Sequence, residues 1–245
     1  MQNFKPKLSI IIINYRSERY LTGCIASIYK RLSGQKIEII LVNNDPAEKL
    51  DHFLVHPEVK LIDVGDNLGF GAANNIGVKK ASGKYIFFLN PDTKIASGNF
   101  EKMLEKMEAD NEIGAMGPRL LTEDGKTQWW CAGKELSLEQ LIKNNLGIIE
   151  SKKIWESRNE ILTDWVSGAA MLVRKDVFEK VRGFDENFFM YFEDQDLCRK
   201  IRKNGHKVMF YPQEEVLHYG GKSRVSFFRQ KAHFFRSMAY FFKKN

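Results

Sequence analysis

Four clusters in this 245-residue sequence carry residue types that can do chemistry. The first closes a hydrophobic run, Tyr85-Ile86-Phe87-Phe88-Leu89, with Asn90-Pro91-Asp92. A strand ending this way presents Asp92 at its carboxyl end, where a hard divalent cation could join it to a diphosphate. An aspartate so placed also suits a turn or a helix cap, and the cluster alone leaves both readings open. The second cluster sets Glu193, Asp194 and Asp196 directly after Phe188, Phe189, Met190, Tyr191 and Phe192. Acids at a helix start complement its dipole. Against an apolar wall, though, burial and mutual repulsion raise a carboxyl pKa and make a usable general base. The third is His218-Tyr219-Gly220-Gly221-Lys222-Ser223, an imidazole beside glycines that allow close backbone approach. The fourth, Gly69-Phe70-Gly71-Ala72-Ala73-Asn74, nearly meets the dinucleotide fingerprint, with Asn74 in the third glycine place. Glycines that merely permit a strand-to-helix turn explain it equally well.

The elements that must position these residues follow from hydrophobic periodicity. Residues 8–14, 37–42, 59–64 and 85–89 are short apolar runs that predict buried strands, and 20–30, 74–81 and 100–109 read as helices. That alternation is the pattern of an α/β sheet with mostly parallel strands, which binds ligands at the carboxyl ends of its strands. Further on, 136–146, 176–181 and 194–203 read as helices. A strand within 161–173 is built around Gly168, Ala169 and Ala170, and one at 208–211 is closed by Pro212.

Thirty-eight basic against 31 acidic residues give a net charge of +7, which favours anionic partners without choosing among them. The carboxylate cluster and the lack of a recognisable binding motif argue against nucleic acid. Cys24, Cys131 and Cys198 are too scattered for a disulfide framework or zinc site and fit a reducing cytoplasm. The N-terminal apolar run is too short for a signal segment, and no stretch is long enough to span a membrane.

Taken together, six blocks resemble the family-2 inverting glycosyltransferases of GT-A fold, particularly the rhamnosyltransferase-like bacterial members. They are LSIIIINYRS, DNLGFGAANNIG, YIFFLNPDT, WVSGAAMLVRKDVF, GFDENFFMYFEDQDLCRKIRKNG and HYGGKS. The resemblance implies a GT-A domain over residues 1–224, with a nucleotide half at 1–118 and an acceptor half at 119–224. It implies that Asp92 is the acid of the metal-binding DxD-type motif, with Asn90 in its first position, and that His218 completes a Mn²⁺ or Mg²⁺ site. It makes Asp194 of the Glu193-Asp194 pair the catalytic base, and it puts Asn14, Tyr15, Asn44, Asn67, Gly69 and Asn74 on segments lining the nucleotide pocket. The donor is then a nucleoside-diphosphate sugar, rhamnose first, with galactosyl or N-acetylhexosaminyl donors as alternatives. The acceptor is a hydroxyl of a glycan or lipid-linked sugar in bacterial surface polysaccharide synthesis. A different class, an NAD-dependent oxidoreductase, rests on residues 69–74 alone and leaves Asp92, Asp194 and His218 without a shared task. Two positions depart from the family pattern. Asn90 is a neutral ligand where the first acid stands, and Asn43 occupies a place where many relatives have aspartate.

Trp129, Trp130 and Trp165 are candidates for stacking on sugar faces or for core packing. In the tail at 225–245, Phe227, Phe234 and Phe241 repeat every seven residues, as do Phe228, Phe235 and Phe242. On a helix they make an aromatic stripe flanked by basic residues. It could lie on an anionic bilayer at the inner face of the cell membrane, on its own domain, or on a second subunit of a homodimer.

Overall fold

Continuous β-branched and apolar segments form strands buried along their whole length, because a sheet covered by helices on both faces leaves them no polar side. In the computed structural model, which describes residues 6–220 and 227–244, this holds for β1 (Leu8–Asn14) and β2 (Ile37–Asn43). The remaining elements in order are α1 (Glu18–Arg31, between β1 and β2), β3 (Val59–Asp63), α2 (Phe70–Lys80), β4 (Tyr85–Leu89), β5 (Thr93–Ser97), α3 (Phe100–Ala109) and β6 (Ile113–Leu121). After these come β7 (Ala132–Gly133), α4 (Leu138–Asn145), α5 (Lys152–Trp155), β8 (Ile161–Thr163), β9 (Trp165–Val166) and β10 (Ala170–Arg174). The chain ends with α6 (Lys175–Lys180), α7 (Glu193–Lys203), β11 (Lys207–His218) and α8 (Phe227–Lys244).

One mixed sheet runs β3-β2-β1-β4-β10-β6-β11-β5. The half made of β3, β2, β1 and β4 is wholly parallel, as the alternation of strands and helices predicts. β10 enters antiparallel between β4 and β6, β11 runs parallel to β6, and β5 and β8 pair antiparallel with β11. A two-stranded ladder of β7 and β9 lies beside it.

Three local expectations are corrected. α2 begins at Phe70, four residues before the expected start, because Gly69 takes a φ of 85° at its N-cap. Gly168 and Ala169 sit in the turn before β10 rather than inside a strand. β11 does not stop at Pro212: its register with β6 shifts between Tyr211 and Glu215, and a bulge absorbs a residue that lacks a ladder donor. The tail does form a helix, but its phenylalanines face different ways. Phe241 is 1% exposed and packs inward, whereas Phe228 is 82% exposed and Phe235 57%. The 224/225 boundary and Gly221, Lys222 and Ser223 of the glycine-rich cluster lie outside the described residues.

Candidate active site

The β4–β5 turn carries Asp92, and antiparallel pairing of β5 with β11 sets His218 opposite Thr93, the next residue. The Tyr219 amide donates to the Asp92 carbonyl (2.9 Å), which fixes the two segments together. Asp92 Oδ1 lies 3.4 Å from His218 Nε2, and both side chains are mostly buried. On the far side of the ring, His218 Nδ1 lies 2.9 Å from Gln128 Oε1. Because Gln128 Oε1 only accepts, Nδ1 carries the proton, and in the neutral ring Nε2 turns a lone pair toward Asp92. Asn90 Nδ2 stands 3.4 Å from the same nitrogen. A carboxylate oxygen and an imidazole lone pair facing each other is a juxtaposition that a divalent cation relieves. Among the described residues no third His, Cys, Asp or Glu joins them. Such a donor set fits a hard cation that takes few protein ligands and completes its shell with substrate phosphates.

Across the cavity, Asp194 lies in the first turn of α7. Its Oδ2 accepts from the Gly168 amide (3.0 Å) and its Oδ1 from the Gln195 amide (2.8 Å). Burial raises its pKa, while these amide bonds pull the other way and favour the ionised form. Glu193 is buried more deeply, and its Oε2 has no hydrogen-bond partner among the described residues. Burial, reinforced by the neighbouring Asp194 charge, pushes Glu193 well above the usual carboxylate range. The pair is thus differentiated: Asp194 is anchored by two amides, and Glu193 beside it is more deeply buried with an unpartnered oxygen.

One cavity of about 510 Å³ joins the two walls. Tyr15, Asn44, Asn67, Gly69, Asn90, Asp92, Glu193, Asp194 and His218 all line it, as do Trp130 and Trp165. Asn44 and Asn67 knit the loop after β2 to the loop before α2: Asn44 Nδ2 donates to Asn67 Oδ1 (2.9 Å), and the Leu68 amide donates to Asn44 Oδ1 (3.0 Å).

Two expected pocket residues lie behind the wall instead. Asn14 is fully buried and donates to Asn43 Oδ1 and Glu48 Oε2. Asn74 is spent inside α2, its Nδ2 donating to the Phe70 carbonyl (3.0 Å). In both, the side-chain amide nitrogen is engaged by the protein, and neither side chain lines the cavity. Asn43 likewise bridges Asp63 and the Glu48 carbonyl. Trp129 is 57% exposed and stacks on Trp155 outside the cavity.

The dinucleotide fingerprint has another purpose as well. A Cβ at Gly69 would come 2.5 Å from the Phe189 carbonyl oxygen, and one at Gly71 would come 3.0 Å from Phe184 Cβ. The Phe70 amide donates to that same Phe189 carbonyl (3.0 Å). The glycines therefore admit the aromatic segment before α7, and an amide that would cradle phosphate is already engaged.

The cavity also has lining that the sequence did not single out. Gly168 supplies an anchoring amide, and a small residue beside a strand was the available signal. Gln128 bore none. Arg229, Gln230, His233 and Phe234 of α8 form part of the wall, and the seven-residue phenylalanine repeat had marked that helix only as amphipathic.

A parallel αβ half, an antiparallel half and a cavity at the strand ends with an Asp–His pair facing a carboxylate define the GT-A class of transferase folds. A family model described as "Glycosyl transferase family 2" matches residues 9–182, and the chain belongs to that family. A second, "N-terminal domain of galactosyltransferase", matches residues 159–221. Among similar proteins, the N-acetylglucosaminyl-diphospho-decaprenol L-rhamnosyltransferase of Mycobacterium tuberculosis is 27% identical, over 88% of this chain and 77% of that one. The low-salt glycan biosynthesis hexosyltransferase Agl10 of Haloferax volcanii is 27% identical over 82% of this chain, which spans 64% of Agl10. Of solved structures, GalNAc-T7 with UDP, GalNAc and Mn²⁺ shares the fold with a TM-score of 0.66 at 18% identity, over 89% of this chain and 44% of that one. Family membership removes the oxidoreductase alternative.

Proposed function

We propose that this protein transfers a sugar, rhamnose first, from a nucleoside diphosphate to a hydroxyl of a glycan or lipid-linked acceptor in surface polysaccharide synthesis, with inversion at the anomeric carbon. One observation carries the reading: the Asp92–His218 pair and the anchored Asp194 line the same cavity. The rhamnosyltransferase relative supports the choice of sugar. A galactosyl donor is the second reading, favoured by the galactosyltransferase model over residues 159–221.

Asp92 and His218 would hold a divalent cation, Mn²⁺ or Mg²⁺, together with the donor diphosphate, with Asn90 beside them as a neutral contact. When bound, that cation supplies Lewis-acid stabilisation to the departing diphosphate. Tyr15, Asn44 and Asn67 shape the floor on which the nucleotide rests, and Trp130 and Trp165 offer faces to a sugar. Asp194 takes the proton from the acceptor hydroxyl as that oxygen attacks the anomeric carbon from the face opposite the leaving group. The amides of Gly168 and Gln195 hold its carboxylate in place, and Glu193 beside it tunes its basicity. A single displacement needs no enzyme nucleophile.

The outward face of α8 exposes Phe228 and Phe235 among basic residues, and α8 carries no acid. No helix among the described residues is long and apolar enough to cross a membrane. We assign this face to an anionic bilayer at the cytoplasmic surface, beside the cavity that would take a lipid-linked acceptor; a second copy of the chain is the alternative occupant.

The test is a panel of nucleotide sugars with and without Mn²⁺ or Mg²⁺, read by thermal stabilisation and by slow hydrolysis. A cognate donor at a hundred times its Kd should stabilise the fold by about 2.7 kcal/mol. The effect should require the metal and vanish in Asp92→Ala. Stabilisation that ignores the metal and survives Asp92→Ala would overturn the assignment.

A further inference from the structure

Two consecutive residues with bulky side chains, Tyr191 (φ 71°) and Phe192 (φ 68°), adopt the left-handed conformation immediately before Glu193 and Asp194. L-residues take that conformation at a cost, and it persists only where the surroundings over-determine it. Phe192 is also the N-cap of α7 and makes no side-chain capping bond, so the local sequence does not hold the turn.

Besides the Phe70 amide on the Phe189 carbonyl, what holds it is α8. Each of the five residues from 188 to 192 meets that helix. Phe188 packs edge-on to Tyr240 (ring centroids 4.8 Å apart), and Phe189 stacks on His233 (4.6 Å). The Met190 carbonyl accepts from Ser237 Oγ (2.7 Å). Tyr191 lies against Phe234 (5.8 Å), and Phe192 lies between Phe234 (5.3 Å) and Phe241 (5.5 Å). Lys244 then binds Asp185 Oδ2 and Asp196 Oδ1, each at 2.7 Å, bracketing the segment from both sides. Phe188, Phe192 and Phe241 form a small apolar cluster of their own, separate from the main core around the sheet. Loosening α8 therefore leaves the main core around the sheet packed.

We propose that α8 is a positioning element for the catalytic carboxylate, with Ser237 and Phe241 as positioning residues that hold the 188–192 turn and so aim Asp194 into the cavity. The inference rests on the reading of Asp194 as the base. Neither Ser237 nor Phe241 lines the cavity, so their effect on the reaction runs through the turn.

The experiment compares full-length Ser237→Ala, Phe241→Ala and Asp194→Asn, alone and in pairs, with Ala239→Ser, exposed on α8, as control. Turnover at saturating donor, donor affinity by calorimetry and a thermal melt are recorded for each. Phe241→Ala should lower turnover about tenfold or more and Ser237→Ala severalfold, with donor affinity within twofold and the control unchanged. In the Asp194→Asn background neither should lower turnover further, because a residue acting through Asp194 has nothing left to position. Undiminished turnover, a loss of donor affinity in step with turnover, or effects that stay additive with Asp194→Asn would overturn the proposal. If Phe241→Ala does not fold, Ser237→Ala decides, since it removes one hydrogen bond and no ring. Wild-type turnover in Asp194→Asn would instead sink the base assignment and is read independently of α8.

Discussion

At the Asp92–His218 wall, the proposed metal binding turns on which nitrogen of His218 carries the proton. Gln128 Oε1, 2.9 Å from Nδ1, fixes the tautomer that leaves Nε2 free to ligate. Outer-shell partners of this kind typically change metal affinity by about 10–100-fold when removed. Gln128→Leu should therefore raise the activating metal concentration by roughly tenfold or more while the fold melts as before. A metal titration of transfer checks it, and an unchanged midpoint would show that the Gln128 contact is only packing. His218 and Asp92 lie 126 residues apart in the chain, and the pairing of His218 with Thr93, with the Tyr219 amide on the Asp92 carbonyl, brings them together.

Among the elements, α8 has two faces with different duties. Its inner face is bound to the turn before α7. Its outer face exposes Phe228 and Phe235, the face proposed to meet a bilayer, and burying a phenylalanine contributes about 1.5–3 kcal/mol when complete. Replacing both by serine should cut binding to anionic vesicles by about tenfold or more, since partial insertion of two rings still amounts to over 1.4 kcal/mol. Co-sedimentation measures it. Equal binding of the variant and wild type, or a concentration-dependent dimer lost in the variant, would favour other occupants.

The sequence announced the helix through its seven-residue repeat but could not say which set of rings faced inward, because the two sets are adjacent on a helical wheel. The four parallel strands were legible because buried strands are unbroken apolar runs. β6 was not: Gly114, Gly117 and Pro118 interrupt its pattern. Gly117 must be small because a Cβ there would come 2.5 Å from Val166 Cβ. The acids and His218 were legible at the ends of elements. That Asn14 and Asn74 lie behind the cavity wall was not legible, because a buried asparagine serving the protein looks, in sequence, like one serving a ligand.

For the molecule as a whole, two acids buried away from the cavity contribute to the response to pH in opposite senses. Glu38 is buried, which works against ionisation, but hydrogen bonds from Lys60, Ser9 and Ser82 outweigh this and hold its pKa down at about 2. Its contribution is present above about pH 4.5 and is lost as pH falls toward 2. Glu214 is the opposite case: burial, only partly countered by Arg31, raises it to about 8. Between pH 4.5 and 8 the folded chain keeps a proton that the unfolded chain has released, so stability falls as pH rises through that window. Glu214→Gln should raise the melting temperature at pH 8 more than at pH 4.5, and an equal change at both would refute the buried-acid reading. The central claim is that the Asp92–His218 wall and Asp194 serve one displacement across one cavity. Its most direct test is turnover and donor affinity in Asp194→Asn, a nearly isosteric change that removes basicity. Turnover at saturating donor should fall about 10²-fold or more with donor affinity unchanged, because a general base acts in the transition state. Near-normal turnover, or donor affinity falling in step with it, would contradict the account.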